Sequence, residues 1–332
     1  MKRLERCGRL AALWWLLVML ACRAHAAQLS CEYRTQLDQL YAYGQMEQGV
    51  QMPLRLDAYL PTTCSNAPGV MHPPVMLLPG GGFGDTVVGK RQPPIVQMAV
   101  ELARAGFAVF VAEYRPRLWH DVAPVSETMT PDELEAYKAL AAQGPYPVST
   151  AVEALMAVED AFKLQAWIRS RGADDQLDLA AFGMMGPSSG ATTSLSMAYM
   201  GDNLGVGDAG LHAVVDLWGD FFPHETMMPG EAPLLVVAGT ADALIDYPLT
   251  TDTMHRAFLT GVDASRITMP GVGHGLVDAD IFNRMVDGTG MTVFEVIVQF
   301  LEARLRPLGG QVWPPAGQGN EMTTAPSAAA SR

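Results

Sequence analysis

Gly186-Pro187-Ser188-Ser189-Gly190 is the stretch that decides how this 332-residue chain is read. Leu177 to Met184 ahead of it is mostly apolar and reads as a buried strand. Ala191 to Tyr199 behind it lacks Gly and Pro and continues as a helix. A strand that turns at once into a helix leaves one residue on a sharp corner, and here that residue is Ser188. Such a corner holds its side chain outward in a strained backbone conformation, and glycines on either side let neighbouring backbone approach closely. By itself a G-x-S-x-G pattern is weak in a chain with 32 glycines. Its meaning depends on what the rest of the sequence supplies.

A serine hydroxyl is a poor nucleophile at neutral pH; a histidine must take its proton and a carboxylate must hold that histidine in the right tautomer. Both follow in chain order. Leu234 to Gly239 reads as a short buried strand, and Asp242 stands just past its C-terminal end, where parallel sheets carry their functional loops. Arg266 to Met269 reads as the last strand of the domain, and Gly271-Val272-Gly273-His274-Gly275 is a loop able to present an imidazole. Asp246 is the alternative acid, or else a helix cap. The other histidines, His25, His72, His120, His212, His224 and His255, lack a comparable strand-to-loop placement.

Upstream, Pro74 to Leu78 is an apolar run that ends in Pro79-Gly80-Gly81-Gly82-Phe83-Gly84. Glycines there free backbone N–H groups to point at one place, and the amides of Gly81, Gly82 and Ser189 are assigned as donors to a developing oxyanion. Loss of one such donor costs about 3 to 4 kcal/mol in a transition state. A phosphate-cradling loop would instead require G-x-x-x-x-G-K-[ST] or a dinucleotide fingerprint, and neither is present.

With these residues in view, the chain resembles the α/β-hydrolase superfamily, in its carboxylesterase and feruloyl- or acetyl-esterase-like branch. Leu54 to Pro61 and Ala105 to Arg115 resemble the strands that flank the glycine loop in that branch. Many relatives open the loop with His-Gly-Gly-Gly; this chain has Pro79 in place of the histidine, a variant similar to that of carbohydrate acetylesterase-like members. The resemblance implies an α/β fold with a mostly parallel central sheet and helices on both faces. It also implies hydrolysis of a carboxylic ester through an acyl-serine intermediate, with neither metal nor organic cofactor and with small short-chain or carbohydrate-linked esters as substrates. A serine peptidase or acyl-peptide hydrolase is the alternative among enzymes, and a non-catalytic binding protein is the alternative outside them.

Residues 1–26 read as a secretory signal peptide. Lys2, Arg3, Arg6 and Arg9 precede a twelve-residue apolar core from Leu10 to Ala21, and Ala24-His25-Ala26 fits a cleavage site. That core is short for a membrane span, which needs about 20 residues. Lipid attachment at Cys22 is the alternative processing route. Cleavage leaves two cysteines, Cys31 and Cys64, which an exported chain can pair. It also removes a net charge of +4 from a total of −13 and leaves −17, a poor match to nucleic acid or anionic membranes. The expected location is secreted or periplasmic.

Residues 27–310 are expected to form one domain, with helices over Pro94 to Ala105, Val152 to Arg171, Ser189 to Tyr199, Leu249 to Leu259 and Met291 to Leu305. Residues 118–148 exceed the minimal fold and read as a small lid or an inert excursion. Thr130-Pro131-Asp132-Glu133 should start a helix there, since it joins an N-cap, a proline at the first helical position and a capping-box glutamate. Trp119, Met129, Tyr137, Phe83 and the Trp218-Gly219-Asp220-Phe221-Phe222 cluster are candidate pocket walls. The tail, residues 311–332, is rich in Pro, Gly, Ala, Ser and Thr and is expected to be disordered.

Overall fold

The computed structural model describes residues 30–64, 70–306, 313–315 and 320–326; the expected signal peptide, with Cys22, lies outside the described residues. Six strands form the parallel heart of the fold: β3 (Pro74–Leu77), β4 (Ala108–Ala112), β5 (Gly183–Pro187), β6 (Ala213–Leu217), β7 (Leu234–Gly239) and β8 (Ala264–Met269). Their short, almost uninterrupted apolar sequences suit strands covered on both faces. Alternation along β3 makes the point. Val75 and Leu77 join the core on one face, while Met76 and Leu78, just past the strand end, join the core on the other.

Each face is closed by helices. α2 (Pro93–Arg104) and α8 (Val293–Leu305) lie on one face and contribute Met98, Leu102, Ile297 and Leu301 to its core. On the other lie α4 (Val148–Ser170), α5 (Ser189–Met200) and α6 (Tyr247–Thr260), which contribute Leu155, Leu164, Leu195, Tyr199 and Ala257. Burying an aliphatic side chain of this size stabilises by about 1.5 to 3 kcal/mol. These helices match the expected ones to within a few residues. α4 starts earlier, straight after Pro147, and α6 starts at Tyr247 because Pro248 is well accommodated in a first turn. Single helical turns complete the set: α1 (Thr86–Gly89), which follows the glycine loop, and α7 (Leu276–Ala279), which follows His274.

Two long antiparallel strands, β1 (Cys31–Gln45) and β2 (Gln51–Cys64), extend the sheet beyond β4, and the Cys31–Cys64 disulfide closes their open end. β9 (Met285–Val286) and β10 (Met291–Thr292) form a separate two-stranded ribbon. One expectation is overturned at the far edge. Residues 320–326 are not a disordered tail, because β11 (Glu321–Thr323) pairs in parallel with β8 and Trp313 packs its ring 5.0 Å from that of Phe300. The polar composition hid a three-residue strand whose one inward side chain, Met322, is buried. Among the described residues the large sheet runs β1-β2-β4-β3-β5-β6-β7-β8-β11, and no helix is long and apolar enough to cross a membrane.

The 118–148 insertion carries α3 (Pro131–Ala141), which begins with the expected capping box between Thr130 and Glu133. It is tied down at several points. The buried carboxylate of Glu159 accepts from the hydroxyls of Ser126 and Thr128 and from the amides of Glu127 and Thr128. Tyr137 donates to the Ala151 carbonyl at 3.1 Å, and Tyr146 donates to Asp220 at 2.9 Å.

Candidate active site

Loops at the C-terminal ends of β3, β5, β7 and β8 meet over the parallel sheet. Ser188 is the first residue past β5, with φ 53° and ψ −123°, a left-handed conformation that costs a non-glycine residue about 1 to 3 kcal/mol. The surrounding chain fixes it there. Its N–H donates to the Leu217 carbonyl at the end of β6 and its carbonyl accepts from Thr192 in the first turn of α5, each at 2.9 Å. Gly186 and Gly190 are needed for close approach, because a Cβ on either would run into the carbonyl oxygen of Leu78.

His274 reaches across from the loop after β8, and its Nε2 lies 2.9 Å from Ser188 Oγ. On its other side Nδ1 lies 2.8 Å from Oδ2 of Asp242, whose side chain is almost fully buried. The second oxygen of Asp242 accepts from the amides of Leu244 and Ile245 at 2.8 and 2.9 Å, so the carboxylate cannot turn away from the imidazole. The loops that carry the pair are themselves joined: Ala241 N–H donates to the Val272 carbonyl, and Gly271 N–H donates to the hydroxyl of Thr240. Asp246, the alternative acid, sits instead at the N-cap position of α6, where its side chain makes no capping bond.

The glycine loop lies against the Ser188 corner, since a Cβ on Gly80 would stand 2.7 Å from the Pro187 carbonyl oxygen. Gly81 and Gly82 have φ of 124° and 60°, and Phe83 follows in the same left-handed region at 57°. Among the described residues no acceptor takes the N–H of Gly81, Gly82 or Ser189. Those three amides are open to a substrate atom. Tyr114, just past β4, links the two halves: its phenol donates to the Pro79 carbonyl at 2.7 Å and lies 3.1 Å from Ser189 Oγ. Complete burial pushes that phenol's pKa up, so the proton stays in the hydrogen bonds. Phe83 packs edge-on against Tyr114 and is buried rather than facing an open pocket.

No family model matches the sequence, and no curated protein matches it significantly. Solved structures do. The chain shares its fold with esterases. A truncated carbohydrate esterase from gut microbiota superposes with a TM-score of 0.55 at 16% identity, over 83% of this chain and 97% of that one. A bifunctional GH43-CE protein of Bacteroides eggerthii gives 0.55 at 17%, over 82% of this chain and 35% of that one, so the chain spans about a third of that protein's length. A thermophilic esterase from the Planctomycetes species Thermogutta terrifontis, bound to propionate, gives 0.53 at 15%, over 87% and 97%.

A second histidine–carboxylate pair escaped the sequence reading. His224 Nε2 lies 2.8 Å from Asp220 Oδ1, and the other oxygen of Asp220 holds Tyr146. Burial alone would lower the His224 pKa, yet the hydrogen bond and charge of Asp220, joined by the charges of Asp252 and Glu225, outweigh it and raise it. The only sequence signal was four-residue spacing inside an aromatic cluster. Nearby Asp216 is buried, and burial with the charges of Asp220 and Asp242 raises its pKa well above the carboxylate range despite the Gly219 amide it accepts. Two other described histidines have ordinary places: His72 Nδ1 bonds the Gly106 carbonyl and His212 Nδ1 accepts from Phe182 N–H. Among the described residues no cluster of His, Cys, Asp and Glu is arranged to hold a metal ion.

Proposed function

We infer that this chain is a serine carboxylic-ester hydrolase of α/β-hydrolase type, exported by its N-terminal segment and acting on small esters with short or carbohydrate-linked groups. One observation carries the reading: the 2.9 Å and 2.8 Å contacts that run unbroken from Ser188 Oγ through His274 to Asp242. In this scheme Ser188 Oγ attacks the ester carbonyl carbon as its proton passes to His274 Nε2. Asp242 holds Nδ1–H and stabilises the imidazolium that forms. The negative charge that collects on the former carbonyl oxygen is met by the N–H groups of Gly81, Gly82 and Ser189. Collapse breaks the bond to the alcohol oxygen, which leaves with the proton from Nε2. Water then repeats the sequence on the acyl-serine, releases the carboxylic acid and restores Ser188.

The fold shared with esterases supports this class of reaction, and the Cys31–Cys64 disulfide agrees with an oxidising compartment. The test is hydrolysis of p-nitrophenyl esters from acetate to palmitate, with an acetylated sugar in parallel, by the protein lacking residues 1–26. Activity that peaks at short chains and vanishes in Ser188→Ala is expected. A folded protein that turns over none of these esters and takes up no fluorophosphonate at Ser188 would overturn the reading.

A further inference from the structure

A cavity of about 30 Å³ lies between the 118–148 insertion, the start of α4, the first two turns of α5 and the loop after β6. By volume it has room for about two waters. Tyr137, Tyr146, Phe221 and Phe222 are among the residues that wall it, together with Asp220 and the hydroxyl-bearing Thr150, Thr192 and Ser196. Those hydroxyls set it apart. Elsewhere on α5 the buried hydroxyls have protein partners: Thr193 donates to the Ser189 carbonyl and Ser194 to the Gly190 carbonyl, each at 2.8 Å, Tyr199 donates to the Ala232 carbonyl, and Ser189 meets Tyr114. Thr150, Thr192 and Ser196 have no protein partner for theirs, although Ser196 is only 5% exposed. None of the three oxygens is sealed off from solvent, so a hydroxyl that enters the cavity finds hydrogen-bonding groups the protein does not already use.

Its position ties it to the proposed chemistry. Thr192 and Ser196 stand one and two turns along α5 from Ser188, about 6 and 12 Å up the helix axis, and the Thr192 amide is the one bonded to the Ser188 carbonyl. The walls are also fixed. Tyr146 is held by Asp220, Tyr137 by the Ala151 carbonyl, and Gly144 lies so close to Phe222 that a Cβ there would sit 2.6 Å from its ring. The insertion is thus a standing wall of the cavity.

Resting on the ester-hydrolase reading, we propose that this cavity is a subsite for a terminal hydroxyl carried by the ester about four to eight bonds from the reacting carbonyl. Thr192 and Ser196 exchange hydrogen bonds with that hydroxyl, and the rings of Phe221 and Phe222 cover the methylenes leading to it. The hydroxyl belongs to the alcohol or to the acyl group, and two substrate pairs separate the sources. On the alcohol side 4-hydroxybutyl acetate is compared with pentyl acetate, and on the acyl side methyl 6-hydroxyhexanoate with methyl heptanoate. Each pair exchanges a hydroxyl for a methyl at nearly constant length.

The readout is the ratio of kcat/KM within a pair. Sites that pair a substrate hydroxyl reject the analogue lacking it far more strongly than apolar pockets reject a missing methylene. We expect the hydroxylated member to lead by at least about tenfold in one pair, which marks its source, and the ratio to collapse toward one in Ser196→Ala and in Thr192→Val. Thermal melting of each variant checks that it is folded. Parity within both pairs, or a preference that survives both substitutions, would overturn the subsite while Ser188-dependent turnover left the hydrolase reading standing. Absence of any turnover, with no fluorophosphonate uptake at Ser188, would remove both.

Discussion

The phenol of Tyr114 and the hydroxyl of Ser189 lie 3.1 Å apart, and the same phenol holds the Pro79 carbonyl at 2.7 Å. One buried side chain therefore sets the spacing between the glycine loop and the residue that follows Ser188. If the open amides of Gly81, Gly82 and Ser189 act together on an oxyanion, their mutual position depends on this link. Tyr114→Phe keeps the ring against Phe83 and deletes only the link. We expect kcat to fall by about tenfold with KM little changed, a loss of about 1.4 kcal/mol in the transition state. A transition-state analogue such as a trifluoromethyl ketone should weaken in parallel; a variant that loses stability alone, with kcat intact, would give Tyr114 a purely structural role.

Asp242 makes three hydrogen bonds, two of them to backbone amides that an asparagine oxygen can still satisfy. In Asp242→Asn the amide nitrogen then faces His274 and forces the wrong tautomer, in which Nε2 carries the proton and cannot accept one from Ser188. A fall in kcat of about four orders of magnitude is expected on the precedent of the trypsin triad, with the fold retained. The contrast is Asp246→Asn, which should change kcat less than about threefold. Reversal of the two effects would make Asp246 the acid.

His224 has its pKa raised, so the folded state favours its charged form. The sign follows from proton counting. A folded-state pKa above the unfolded one gives stabilisation that is complete below about 6.5, the ordinary histidine value, and that fades as pH climbs through the higher folded value. Urea unfolding between pH 6 and 9 should therefore show the parent losing more stability than His224→Gln across that window. Parallel profiles would contradict the assignment. Tyr146 and Thr253 share Asp220 with His224, so the same loss should appear as faster proteolysis of the 118–148 insertion.

The Cys31–Cys64 bond joins residues 33 apart in sequence and closes the β1–β2 pair at its open end. Loop-closure arithmetic for that separation gives about 3 to 4 kcal/mol. Reduction by dithiothreitol, or a Cys31→Ser, Cys64→Ser double variant, should lower unfolding stability by that order while Ser188 keeps its reactivity. A shift in the denaturation midpoint within error would show that the hairpin holds without the bond.

The meeting of Ser188, Asp242 and His274 was legible in the sequence because each stands where an apolar run stops, and such stops mark the end of the sheet on which loops converge. The helices were legible for a similar reason, since Pro, Gly and capping residues punctuate them locally. What escaped was non-local. Tyr114 reads as the residue after a strand, and nothing in its neighbourhood reports Ser189, 75 residues on. The Asp220–His224 pair has helical spacing without a predicted helix. Arg115, fully buried against Glu159 and Asp160, reads as an ordinary charged residue until the fold brings α4 beneath it. Composition misled at Glu321–Thr323, because a strand of three residues is too short to leave a periodicity.

That last strand has a consequence for handling the protein. A chain ended at Arg306 would retain Ser188, Asp242 and His274, yet β8 would become the outermost strand, its backbone N–H and C=O groups facing solvent where β11 now lies. A bare parallel edge is a template for a neighbouring molecule. In the shortened protein that exposed edge would favour self-association as concentration rises, with Ser188, Asp242 and His274 left where they are.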